Sequence, residues 1–75
     1  MKPTQINPGK KLLISIPYTN SKRIAYFVKR IPAQPGGQAI NLVRFPAFEG
    51  LNGYNDDGTC QMSDQELAKC GEYAL

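Results

Sequence analysis

The chain has 75 residues, enough for one compact domain and too few for a second domain, a deep cleft or a solenoid repeat. Hydrophobic residues make up 41% and charged residues 20%, values that place it among globular chains and exclude disordered or fibrous classes. The net charge of +3 hides a division. Residues 1–48 hold eight bases (Lys2, Lys10, Lys11, Lys22, Arg23, Lys29, Arg30 and Arg44) and no acid, while 49–75 hold all six acids against Lys69 alone. Halves of +8 and −5 suggest a basic binding surface, two halves that neutralise each other across a small sheet, or a dipole that stacks head to tail.

Residues 1–8 contain no apolar run and read as a flexible N-terminal segment, before a single small β-barrel domain at 9–75. From Lys10 to Tyr18, Leu12, Ile14, Ile16 and Tyr18 alternate with Lys11, Leu13, Ser15 and Pro17, the period-two pattern of a half-buried strand. Pro17 donates no ladder bond, which puts the end of that strand at an edge or bulge. Thr19-Asn20-Ser21-Lys22 reads as a turn and Arg23–Ile31 as a second strand. Its two faces are both apolar, as in a strongly bent strand. Residues 32–38 form a Pro/Gly loop, Ala39–Phe45 a third strand, and Pro46 ends it. Residues 47–58 are turn material, with Asn52-Gly53 and Asp57-Gly58 favouring positive φ. Thr59–Met62 is a short fourth strand. Ser63-Asp64-Gln65-Glu66 matches a capping box that opens a helical turn over Asp64–Cys70. Gly71 sits where a C-cap glycine belongs, and Glu72–Leu75 is a terminal strand.

This order of elements resembles small SH3-like barrels, the superfold shared by Tudor, KOW and SH3 modules, in which a helical turn precedes the last strand. The resemblance implies an all-β fold: a small SH3-like five-stranded barrel with a single short helical turn before the last strand. An OB-like barrel is the alternative, and an open sheet with one small helix comes third.

Enzymatic chemistry finds little support. With no histidine, Ser-His-Asp and Cys-His pairs are excluded and the commonest general base is missing. Cys60 and Cys70 alone do not complete a four-ligand zinc site. Cys70, at the negative end of the helix, suits a structural thiol better than a nucleophile. The loop 53–58 is calcium-like in spacing, but Gly53 stands where the first acidic ligand belongs. Gly36-Gly37 lacks the helix and lysine of a phosphate cradle. Plasmid-borne trimethoprim-insensitive dihydrofolate reductases are similarly short and SH3-like, yet their Val-Gln-Ile-Tyr segment has only Gln61 as a counterpart in Thr59–Ser63. The sequence therefore implies neither an enzyme nor a cofactor nor a metal. The apolar stretches are strand-length rather than membrane-spanning, and two cysteines are too few for a secreted disulfide scaffold, so the expected setting is cytoplasmic. Whether the two cysteines pair stays open.

The most informative segment is 21–30, in which basic pairs bracket two aromatics, followed by Arg44-Phe45 on the next strand. Cations bind phosphates and aromatic faces stack on unpaired bases. The expectation is a non-enzymatic module that binds nucleic acid, DNA or RNA, through a basic sheet surface. Lys22, Arg23, Lys29, Arg30 and Arg44 would meet phosphates, with Tyr26 or Phe27 as the stacking face. Because Tyr26 and Phe27 are adjacent in a strand, at least one must face the core. The alternative is a protein-interaction adaptor or inhibitor that docks through the acidic loop 47–58. In that loop Phe48 and Leu51 either plug the barrel end or anchor a partner. An exposed strand edge would allow a homodimer.

Overall fold

The computed structural model describes residues 2–16, 19, 21–51 and 53–74. Five strands and one short helix follow in the order β1 (Lys11–Ser15), β2 (Lys22–Ile31), β3 (Ile40–Arg44), β4 (Thr59–Ser63), α1 (Asp64–Cys70) and β5 (Gly71–Tyr73). The strands form one antiparallel sheet, β4-β3-β2-β1-β5, with β4 and β5 as its two edges. The fold is thus mostly β with a single helix, and its hydrogen-bonded ladder is open.

Alternation in β1 buries Leu12 and Ile14 on the inner face and leaves Leu13 and Ser15 half-exposed on the other. Ala25, Phe27, Val43, Phe45 and Leu67 complete the core around them. Apart from Ala25, each of these side chains contributes about 1.5–3 kcal/mol when buried. The N-terminal segment takes part as well. Pro3–Gln5 forms a 3₁₀ turn, and Ile6 packs into the core from outside the expected domain boundary.

Helix α1 spans the expected residues because its start is encoded locally. The Ser63 hydroxyl accepts from the Glu66 amide at 3.1 Å, and the Glu66 carboxylate accepts from the Ser63 amide at 3.1 Å. Only the conformation of its C-cap differs from expectation. Gly71 is extended at φ −102° rather than left-handed, because β5 begins there and pairs Gly71 with Ile14. The expected first strand ends earlier, at Ser15, and the expectations for Pro17, Tyr18, Asn20, Asn52 and Leu75 fall outside the described residues.

The loop after β3 is ordered by its own backbone. Pro46–Phe48 makes a 3₁₀ turn, the Gly50 amide donates to the Asp56 carbonyl at 2.9 Å, and the Phe45 amide donates to the Gly58 carbonyl at 2.9 Å. Gly53 and Gly58 have the expected positive φ, at 123° and 85°. The Asp56 and Asp57 carboxylates accept from the Gly58 and Thr59 amides at 2.9 and 3.0 Å, turning the chain into β4.

Candidate nucleic-acid interface

Cross-strand pairing sorts the basic residues by face. Residues directly opposite one another share a face of the sheet. Lys11 on β1, Tyr26 on β2 and Arg44 on β3 are successive partners and form one row across the outer face. Beside it lie Leu13 opposite Ile24, and Lys22 opposite Ser15. On the other flank Lys29 stands opposite Leu42.

Lys29 reaches that face only because β2 is irregular. The register shifts between Phe27 and Lys29, so Val28 is an extra residue in the strand. Strict alternation from the buried Phe27 would have put Lys29 inside and Arg30 outside. With the bulge, Lys29 joins the outer face and Arg30, opposite Asn41, turns inward.

Arg30 is consequently engaged. Its guanidinium donates Nε to Asp64 Oδ1 at 3.0 Å and Nη2 to Oδ2 at 2.6 Å, a two-pronged pair between β2 and the start of α1. Asn41, fully buried, donates its amide to the same Oδ1 at 2.8 Å and to the Met62 carbonyl at 3.2 Å. The Arg30 and Asn41 hydrogen bonds hold the Asp64 carboxyl down at about 2, below its ordinary value of 3.8, and Asp64 in turn raises the Arg30 pKa. This group ties the sheet to the helix.

The expected site residues therefore divide. Lys22, Tyr26, Lys29 and Arg44 share the outer face. Phe27 is only 2% exposed and belongs to the core, which leaves Tyr26 as the surface aromatic of the pair. Arg23 lies opposite the buried Ile14, at the exposed rim of the inner face. Arg30 is held by Asp64. Lys11, Leu13, Ile24 and Leu42 were not among the expected site residues, although the alternation in β1 already placed Lys11 and Leu13 on the face away from the core.

The outer face is cationic with an apolar floor. Among the described residues Lys11, Arg23 and Lys29 make no ion pair, and Lys22 reaches Glu72 at 2.8 Å with both side chains about half-exposed. The Arg44 guanidinium lies 5.3 Å from the Tyr26 ring centre, close enough for a cation–π contact. Asp57 approaches from the loop. Hydrogen bonds from the Thr59 side chain and backbone lower its pKa, and the Arg44 charge adds to the effect.

Elsewhere, the aromatics do not gather into a cage. Phe45 and Phe48 stack at 4.9 Å against the core, whereas Tyr54 is 95% exposed. Leu51 is 71% exposed, so Phe48 packs inward and Leu51 does not. Cys60 and Cys70 are free thiols packed against the core, and burial pushes the Cys60 thiol pKa up, with Asp56 adding to it. Among the described residues no three potential metal ligands cluster, and no helix is long and apolar enough to cross a membrane. No protein-family model matches the chain, and neither a curated protein nor a solved structure matches it.

Proposed function

We propose that this chain is a small non-enzymatic binding module that holds nucleic acid on the outer face of its sheet. The observation that carries the reading is the row Lys11–Tyr26–Arg44, flanked by Lys22 and Lys29 on an exposed face whose strands carry one acid, Glu72. Four cations around an aromatic offer phosphates a sequence-independent electrostatic hold, and the apolar floor offers contact to sugars and bases. The meander of four strands, the helix between β4 and β5, and the return of β5 to β1 support an SH3-like barrel as the architecture. Two unpaired thiols suit a reducing, cytoplasmic setting.

The test separates adjacent arginine and lysine. Lys29→Glu is expected to weaken oligonucleotide binding while leaving the melting temperature near wild type. Arg30→Glu is expected to lower the melting temperature, because it sets two carboxylates against each other at the helix start. Binding that is indifferent to Lys29→Glu would remove the outer face from the account.

One observation favours a second reading. Leu51 and Tyr54 are exposed on a loop held in shape by its own hydrogen bonds and flanked by Glu49 and Asp57. That is the form of an anchor for a basic protein surface. Under this reading Tyr54→Ala breaks a protein complex and leaves oligonucleotide binding unchanged.

A further inference from the structure

The outer face has a shape as well as a charge, and the shape discriminates between nucleic acids. We infer that it takes a single strand with unpaired bases in preference to a duplex, an inference that rests on the nucleic-acid reading above. Neighbouring strands lie ~4.8 Å apart, so the row from Lys11 on β1 through Tyr26 on β2 to Arg44 on β3 spans about 10 Å. That is one nucleic-acid strand in width. The cations at its two ends can meet a single backbone while Tyr26 lies between them, under the bases.

The floor around the row is built for base faces rather than for phosphates. Ile24 and Leu13 sit on one side of Tyr26 and Leu42 on the other, with Val28 at the bulge next to it. Ile24 and Val28 are substantially exposed. A shallow depression of about 370 Å³ opens beside the row, lined by Lys11, Leu13, Ile24, Glu72 and Tyr73, among others. It gives a neighbouring base an apolar seat with a cation at its rim. The Arg44 guanidinium packs against the Tyr26 ring and adds a second planar surface, and both rings and guanidinium planes stack on splayed bases.

A duplex offers none of this. Its bases are stacked on one another, and reading it requires an element that enters a groove about 12 Å wide and 8.5 Å deep. The one α-helix among the described residues packs on the opposite, inner face, with Leu67 in the core. An open strip with an aromatic centre therefore pairs with unstacked bases, whereas a duplex would meet only its cations.

The experiment is fluorescence anisotropy with a labelled oligothymidine and with a duplex of the same length, at the same salt, on the full chain. The single strand is expected to bind at least about tenfold more tightly. Tyr26→Ala is expected to weaken single-strand binding by roughly 5- to 150-fold and to leave duplex binding and the salt dependence unchanged. Tyr26→Phe keeps the ring and is expected to keep the affinity. Titration of the unlabelled wild-type protein with oligothymidine is expected to quench its tyrosine fluorescence, and Tyr26→Phe to lose that quenching. Equal or tighter duplex binding, or single-strand affinity unchanged in Tyr26→Ala, overturns the single-strand inference while the basic face stands. Absence of binding to either probe overturns the nucleic-acid reading itself, and this inference with it. The strand-against-duplex comparison uses the wild-type chain, so it holds even if Tyr26→Ala fails to fold.

Discussion

Replacing Gly58 by alanine should be among the most damaging single-methyl additions to this protein, and Gly50→Ala provides its internal control. Both glycines have left-handed backbones, φ +85° at Gly58 and +83° at Gly50. An L-residue held there costs roughly 1–2 kcal/mol. At Gly50 nothing lies within 4 Å of an added Cβ, so that is the whole effect. At Gly58 the Cβ would overlap the Phe45 carbonyl oxygen and stand 3.1 Å from the Phe45 carbonyl carbon and 3.3 Å from the Glu49 nitrogen. These are backbone atoms and have no rotamer to change. Relief requires moving the end of β3 from the start of β4, which breaks the 2.9 Å bond from the Phe45 amide to the Gly58 carbonyl. A lost backbone hydrogen bond adds about 1 kcal/mol. The expected losses are therefore about 2–3 kcal/mol for Gly58→Ala and about 1–2 kcal/mol for Gly50→Ala. A domain of this size has roughly 4–11 kcal/mol in total. Urea unfolding followed by circular dichroism measures both, and each kcal/mol corresponds to about 4–8 °C in melting temperature. Equal losses at the two positions would refute the close approach of β3 to the β4 turn.

Two further predictions address the core and the Arg30–Asp64 pair. Phe27→Ala should cost about 3–5 kcal/mol, and Val28→Ala, one residue on but exposed in the bulge, about 0.5 kcal/mol. Similar unfolding midpoints for these variants would contradict the burial of Phe27 and the exposure of Val28. For Asp64 the folded pKa lies below the unfolded one, so its ionised form favours the native state above pH about 4. That contribution disappears as the pH falls through its folded value of about 2. The gap in melting temperature between wild type and Asp64→Asn should hold from neutral pH to about 4 and close towards 2. A gap that persists unchanged at low pH would contradict a charge-based role.

What could be read in the sequence was local. The capping box from Ser63 to Glu66 is complete within four residues, and α1 begins and ends where that signal and Gly71 place it. The alternation of Leu12 and Ile14 with Lys11 and Leu13 likewise predicts the two faces of β1. The bulge at Val28 has no local signature, because no Gly or Pro marks it. Without it, Lys29 and Arg30 are interchangeable members of a basic pair. Their separation also depends on Asp64, which is 34 residues from Arg30 in sequence and reaches it only through the β3–β4 pairing that places Asn41 opposite Met62. The core position of Ile6 is silent in the sequence for a similar reason, since a single apolar residue among Asn, Gln and Pro carries no periodicity. A glycine after a helix favours a left-handed cap, and at Gly71 the pairing of β5 with β1 overrides that preference.

The central claim is that Lys11, Lys22, Lys29 and Arg44 act together as a phosphate-binding face, and the salt dependence of binding by the unmodified chain tests it most directly. Each phosphate neutralised on a single strand contributes about −0.7 to the slope of log affinity against log salt concentration, so four cations predict a slope near −3. Anisotropy titrations of a labelled single strand between about 50 and 200 mM salt measure it. Micromolar binding with a slope of that size is the result the account predicts. Binding with a slope near zero, or no binding at the lowest salt, would contradict it.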